Sequence, residues 1–430
     1  MSHRSRKLTV SGLSRVEGDG ALRITVHGGQ VDRAELNIYE PPRFFEAFLR
    51  GRSYTEPPDI TARICGICPV AYQTSACNAI EQACQAVLDQ PLADLRRLLY
   101  CGEWISSHAL HIYFLHAPDF LGYPDAIALA QEHRDIVARG LELKKAGTAI
   151  LEVLGGRAVH PVNVRVGGFY RVPAPAELGP LAGQLRRALD LALGTVQWAA
   201  SFDFPDLELR HDLLSAQDPG RYPLESGTLG TASGLSFPAT GFPDHVTEQQ
   251  VPHSTALHAT LDGHRYLTGP LARYSLNSRH LSPAARQAAA AAGLGAECRN
   301  PFRSVLVRAV EVVYAVEEAL RIIGGYQPPS RPAVEVIPRA ATGHGVSEAP
   351  RGVLYHRYAI GADGLIRSAT IIPPTSQNQA AIEDDLRRVA AAHLHLDDTG
   401  LTSLCERVIR NYDPCISCAA HFLTLTVHRA

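Results

Sequence analysis

Two Cys-x-x-Cys pairs stand near opposite ends of a 430-residue chain, Cys65-Gly66-Ile67-Cys68 and Cys415-Ile416-Ser417-Cys418. Four thiolates brought together form a soft, high-affinity metal site. Taken singly, such a pair is a redox dithiol, half of a zinc site or part of an iron–sulfur site. A thioredoxin-like dithiol needs one pair in a short strand–helix unit. Here the first pair follows a Pro57-Pro58-Asp59-Ile60 loop and precedes a helix, and the second lies near the C-terminus. A zinc ribbon packs its pairs within tens of residues, whereas these are 350 apart. A shared metal requires the two ends of the chain to close on one another, which favours a single interwoven domain over residues 1–430.

The other cysteines, Cys77, Cys84, Cys101, Cys298 and Cys405, lie in apolar or helical contexts and read as small buried hydrophobes. An odd total of nine in a large chain argues against a disulfide framework. His245, His253, His258 and His264 fit no ligand template in their spacing and read as loop and strand histidines.

The elements that must join the two pairs are mainly helical. Apolar–polar alternation broken by glycines predicts strands over 7–12, 21–27 and 31–39. From Pro91 the apolar residues recur at spacings of three and four, predicting helices over 92–116, 124–154 and 176–202. Residues 203–280 are rich in Gly, Pro and His, with short strand-like pieces such as 254–261. A long helix is predicted over 303–323, stopped by Gly324-Gly325. Segments 352–359 and 365–372 alternate around Gly361-Ala362-Asp363-Gly364, a hairpin signal. Two last helices are predicted over 379–395 and 401–412. The class is mainly α (α+β), a helical core with peripheral antiparallel strands.

Composition removes several function classes. A net charge of -2 argues against a dominant nucleic-acid footprint. No apolar run reaches the length of a membrane span. The basic start, MSHRSRKLTVSG, lacks the apolar core of a signal peptide, so a cytoplasmic location is expected. No dinucleotide-binding glycine fingerprint occurs, and the unpaired cysteines follow no iron–sulfur relay pattern.

The segments around the pairs carry more. They are Arg15-Val16-Glu17-Gly18, Arg63-Ile64-Cys65-Gly66-Ile67-Cys68-Pro69, Ser107-His108-Ala109-Leu110-His111, Glu348-Ala349-Pro350-Arg351-Gly352, Pro374-Thr375-Ser376-Gln377-Asn378 and Asp413-Pro414-Cys415-Ile416-Ser417-Cys418-Ala419-Ala420-His421. In these segments, spread over nearly its whole length, the chain resembles the large, catalytic subunit of a nickel–iron hydrogenase. That resemblance implies the family's helical fold and reversible heterolytic cleavage of H2 at a Ni–Fe(CN)2(CO) centre. Carried over by motif, Cys65 and Cys415 are terminal nickel ligands, and Cys68 and Cys418 also bridge to iron. Glu17 resembles the family's proton carrier. Arg351 resembles the arginine held over the metal pair, with Asp413 able to orient it. Thr375, beside Pro374, resembles the donor to a cyanide. His108 and His111 share a helix face, and the resemblance places such a helix where a His can bond a bridging thiolate. Glu46, the Ile371 carbonyl and His421 match positions that hold a second, hard metal, Mg2+ or iron.

Three positions depart from the family pattern: Asp19 stands where His is usual, and Tyr72 and Ser107 stand where many relatives have His and Asp respectively. The Tyr72 and Ser107 departures point toward the soluble, cofactor-linked branch. The resemblance also implies a small iron–sulfur subunit, diaphorase-type subunits linked to NAD(P), nickel chaperones and a maturation protease. The protease would remove the FLTLTVHRA extension, residues 422–430. Two other readings are a metal-free quinone-reductase subunit like that of respiratory complex I, which lacks the paired cysteines, and a structural zinc scaffold.

Overall fold

A computed structural model describes residues 6–41 and 43–420. The chain opens with three antiparallel strands, Arg6–Val10, Gly20–His27 and Gln30–Ile38. Gly28 and Gly29 both take positive φ (58° and 80°), the conformation that a tight hairpin needs. Leu22, Ile24 and Val26 turn to the core while Arg23 and His27 face outward, the period of two expected of a half-buried sheet.

Four helices form the central bundle: Gln90–Leu110, Arg134–Gly155, Pro175–Ala200 and Ser304–Gly324. Asp89 caps the first by accepting from Leu92 N–H at 3.1 Å. This helix continues through a wider π-helical turn, His111–His116, so the predicted span is met. The predicted 124–154 helix breaks at His133 into Ala126–Glu132 and Arg134–Gly155. The Gln90–Leu110 and Arg134–Gly155 helices touch at Gly102 and Gly147; a Cβ on Gly147 would lie 2.5 Å from the Gly102 carbonyl oxygen. Ser304–Gly324 is buried on nearly every face and runs through the middle of the bundle. No helix of the described residues is long and apolar enough to cross a membrane.

A second antiparallel sheet, Ala341–Ala349, Gly352–Ile360 and Ile366–Ile372, contains the predicted hairpin. Its first strand was not evident in the sequence. That strand lies directly on the Pro69–Cys84 helix: a Cβ on Gly343 would sit 1.9 Å from Ala79 O, and one on Gly345 2.3 Å from Ser75 O. Ser75 Oγ and Ser347 Oγ bond at 2.7 Å across the same contact. The helix predicted over 379–395 begins earlier, at Pro374, and ends at Ala392. In the 254–261 segment only His258–Leu261 is strand. The 203–280 region also supplies Asp212–Gln217, Thr228–Thr231 and Ser236–Phe237, with Tyr266–Leu267 running parallel to Asp212–Gln217.

The glycine contact yields a stability prediction. Gly345→Ala forces its methyl into the Pro69–Cys84 helix and should cost about 1–3 kcal/mol. Gly179→Ala has no atom within 4 Å of the new methyl and should be neutral or stabilising by roughly 0.5–1 kcal/mol. Thermal midpoints at one fixed scan rate check both, and equal midpoints for the two variants would contradict the packing described.

Candidate metal centre

Each cysteine pair sits at the start of a helical segment. Cys68 is the N-cap of the Pro69–Cys84 helix, and Cys415 precedes the short Ile416–Ala419 turn. Cys65 closes the Ala62–Ile64 turn. All four side chains are buried. Cys65 Sγ lies 3.4 Å from Cys415 Sγ, Cys68 Sγ lies 3.7 Å from Cys418 Sγ, and all four sulfurs fall within 4.8 Å of one another. Hydrogen bonds from Cys415, Cys418 and Cys68 pull the Cys65 thiol well below its ordinary range. Cys415 is pushed well up, first by burial and then by Cys418, Cys65 and Cys68. One thiolate is thus stabilised at the expense of its neighbours, and four can ionise together only around a cation. The donor set is soft, buried and anionic on ionisation, and it fits a nickel–iron group.

Residues from the N-terminus hold the second pair in place. Glu17 O accepts Ile416 N–H at 3.0 Å. Its carboxylate Oε2 accepts from Cys415 Sγ at 3.2 Å and from Ser417 N–H at 3.0 Å. Gly18 takes φ of 90°, and a Cβ there would fall 2.7 Å from Ile416 Cβ. Ile416 packs with Ile38, Ala256 and Ala419 into a small apolar cluster. Ser417 Oγ bonds Glu40 Oε1 at 2.9 Å.

Arg351 and Asp413 meet beside the sulfurs. Arg351 Nε donates to Asp413 O at 2.7 Å and Nη2 to Asp413 Oδ1 at 3.1 Å. Among the described residues, buried Arg351 Nη1 and Asp413 Oδ2 have no hydrogen-bond partner. Burial opposes the Arg351 charge, but Asp413, Cys415, Cys68 and Cys65 outweigh it and hold the guanidinium protonated. Asp413 has φ of 51°, an uncommon conformation for a residue other than glycine. Thr375 Oγ1 accepts Cys415 N–H at 3.0 Å, and Pro374 opens its helix at the first position.

His108 is elsewhere. Its Nε2 lies 3.0 Å from Glu311 Oε2, and its ring packs at a tilt of 53° against Trp104. The expected contact with a bridging thiolate is not made, because the face shared by His108 and His111 turns to the Ser304–Gly324 helix and the Arg410 carbonyl. Tyr72 lies beside the sulfurs, and among the described residues its hydroxyl has no hydrogen-bond partner within ordinary geometry. Burial first, then Cys418, Cys68 and Cys415, keep the phenol protonated. Sequence reasoning also missed Glu103, which accepts Val70 N–H and Ala71 N–H at 2.6 and 3.0 Å and so caps the helix behind Cys68. Only its place on the Gln90–Leu110 helix hinted at that role.

Glu46 Oε1 accepts Ile371 N–H at 2.7 Å. Both line a cavity of about 300 Å³ with Ser417, Cys418 and Ala420. The structure therefore brings two of the three expected hard-metal residues together, and His421 lies outside the described residues.

A family profile described as nickel-dependent hydrogenase matches residues 43–139 and 307–421, which include both cysteine pairs. Sulfhydrogenase 1 subunit alpha of Pyrococcus furiosus is 34% identical over 97% of this chain and 98% of its own length. The chain belongs to the nickel-dependent hydrogenase family. Sulfhydrogenase 2 subunit alpha of the same organism is 32% identical over 96% of this chain and 98% of its own. The crystal structure of an NAD+-reducing nickel–iron hydrogenase in the H2-reduced state superposes with a TM-score of 0.87, at 26% identity, over 97% of this chain and 99% of that one. The large-subunit fold of that family and its enzymatic class are thereby established for this chain.

Beneath the hydrogenase site a single guanidinium serves two buried carboxylates. Arg273 Nε and Nη2 bond Glu311 at 2.9 Å each, and Nη1 bonds Glu348 Oε2 at 3.0 Å. Nη2 also donates to Pro350 O at 2.9 Å, one residue before Arg351. Burial raises Glu311, but Arg273 and His108 together pull it down to about 2. Burial dominates at Glu348 and pushes it up to about 7. Its folded value lies above the unfolded one, so stability from this group is full at low pH and lost as pH rises from the ordinary carboxylate range through about 7. The expected signature is a protonated-carboxyl infrared band that disappears as pH rises through about 7. Glu348→Gln should abolish it, and a band surviving that substitution would assign the proton elsewhere.

Proposed function

We propose that this hydrogenase cleaves H2 reversibly and heterolytically at a Ni–Fe(CN)2(CO) centre held by Cys65, Cys68, Cys415 and Cys418. The observation that carries the reading is the convergence of four buried sulfurs with a carboxylate oxygen 3.2 Å from one of them. When bound, that centre supplies Lewis acidity and two-electron redox chemistry. Cys65 and Cys415 would hold nickel, and Cys68 and Cys418 would hold both nickel and iron. Glu17 Oε2 receives the proton from Cys415 Sγ, and Ser417 N–H keeps the carboxylate aimed at that sulfur. Arg351 offers its Nη1, which has no partner among the described residues, and Asp413 fixes the rest of the guanidinium. Arg351, Thr375 and the Pro374 turn are assigned to the diatomic ligands. His108 acts at a distance, as a neutral partner of Glu311.

A carboxylate, a backbone carbonyl and an imidazole suit a hard cation that keeps several waters. Glu46, Ile371 and His421 are therefore assigned to Mg2+ or iron. Electrons must leave the chain, because its remaining cysteines are separate and four of the five are buried. They pass to a small iron–sulfur subunit. The likeness to an NAD+-reducing hydrogenase supports diaphorase-type subunits and NAD(P) as the further acceptor. Nickel chaperones and a maturation protease complete the set of partners, with cleavage after His421.

Two measurements test this. Cys68→Ser should lose bound nickel and the infrared bands of carbon monoxide and cyanide, and H2 uptake should fall below about a thousandth of wild type. Full uptake in that variant overturns the ligand assignment. The intact mass of nickel-loaded protein should correspond to a chain ending at His421, and retention of residues 422–430 overturns the processing step.

A further inference from the structure

His253, His258 and Glu383 meet where three elements cross. His253 lies in the loop after the Val246–Gln249 strand, His258 opens the His258–Leu261 strand, and Glu383 sits in the Pro374–Ala392 helix. Their ligand atoms all lie within 4.8 Å of one another. His253 Nε2 is 2.7 Å from Glu383 Oε1, and Leu36 N–H donates to the same oxygen at 2.9 Å. The two rings stand edge to face, with centroids 5.6 Å apart and planes at 87°. His258 is only 4% exposed, and its Nε2 has no hydrogen-bond partner among the described residues. A buried nitrogen left in this way costs about 1–3 kcal/mol, a penalty that a ligand would remove.

We propose that His253, His258 and Glu383 bind a divalent transition-metal ion, best matched by Zn2+, at a site separate from the four-cysteine centre. Two imidazole nitrogens and one carboxylate oxygen are a common zinc set, with the fourth position open to water. The fixed Leu36 N–H supplies the outer support that metal-binding carboxylates usually have. A neighbouring group shows the contrast. His211, Asp384 and Asp385 also converge, but Arg265, Arg387 and Arg388 already neutralise those carboxylates. Around the proposed site the charges are mixed: Glu35 and Arg23 act on His253, and Arg265 on His258.

The location gives the ion a role. Thr255, between the two histidines, donates from its backbone to Ile38 O at 2.8 Å, and Ala256 pairs with Ala420. An ion holding His253 and His258 to Glu383 therefore clamps the loop on which the end of the second cysteine segment rests.

The test is metal content of the purified holoenzyme after equilibration with micromolar Zn2+ and desalting. One zinc per nickel is expected. His258→Ala and Glu383→Gln should each lose that zinc while retaining nickel, with affinity falling by more than the roughly 10–100-fold typical of removing a supporting partner. Glu383→Gln preserves shape and serves if His258→Ala does not fold. With Co2+ in place of zinc, ligand-field absorption without a thiolate charge-transfer band is expected. Absence of zinc, zinc unchanged in both variants, or a thiolate band from the cobalt overturns the proposal. The readout is zinc rather than turnover, so its failure leaves the nickel assignment standing.

Discussion

Closure of the chain on itself at Glu17 and Cys415 is the constraint on which the rest of the structure depends. Contacts there span 398 residues. Closing a free loop of that length costs roughly 5 kcal/mol beyond a constant. Against this stand the burial of Ile416, about 1.5–3 kcal/mol, and three hydrogen bonds of about 0.5–1.5 kcal/mol each. The terms are of similar size, so the junction alone barely holds. The helical bundle must first draw the two ends near one another. This explains why the cysteine pairs rest on core elements, the Pro69–Cys84 helix on one side and the Pro374–Ala392 helix on the other, and why the last contact is a short β-type bridge between Glu17 and Cys415.

A second theme is the density of buried charge under the site. Arg273, Glu311, Glu348, Arg351 and Asp413 are all almost fully buried. Such groups seldom add net stability over an apolar core, and removing one partner leaves an uncompensated charge that costs several kcal/mol. Their value lies in geometry. Arg273 bonds the carbonyls of Ala349 and Pro350, which fixes the strand end from which Arg351 projects. Asp413 then holds Arg351 at two atoms and leaves a third without a partner among the described residues. The left-handed backbone at Asp413 places its carbonyl and carboxylate together on one guanidinium.

Much of this was legible in the sequence and some was not, for identifiable reasons. Spacing alone marked the two cysteine pairs, and apolar periodicity marked every helix of the bundle. The Ala341–Ala349 strand escaped because Gly343 and Gly345 look like turn residues, whereas they are glycine so that a helix can lie against them. The Pro374 start escaped because Pro373-Pro374 looks like a loop, although proline suits the first helical position. Helical spacing put His108 and His111 on one face without naming what that face meets. Glu311 lies some 200 residues further along the chain. The same limit hid the approach of His253 and His258 to Glu383, whose contact spans 130 residues.

How the sulfurs' negative charge is balanced follows from which donors are still free. Two long helices, Pro69–Cys84 and Pro374–Ala392, begin at the site, and a helix N-terminus favours an anion by about 0.3–1 kcal/mol. At the first helix that contribution is already used, because Glu103 takes the Val70 and Ala71 N–H groups. At the second, Thr375 turns its hydroxyl oxygen to the Cys415 N–H, so the side chain serves the loop that carries the sulfur. Among the described residues, Arg351 is the cation that acts on the cluster. Charge–charge attraction at short range exceeds a helix-end dipole several-fold at an effective dielectric near 20. The guanidinium and the Glu17 carboxylate oxygen, 3.2 Å from Cys415 Sγ, therefore place a fixed cation and a carboxylate beside the same sulfurs.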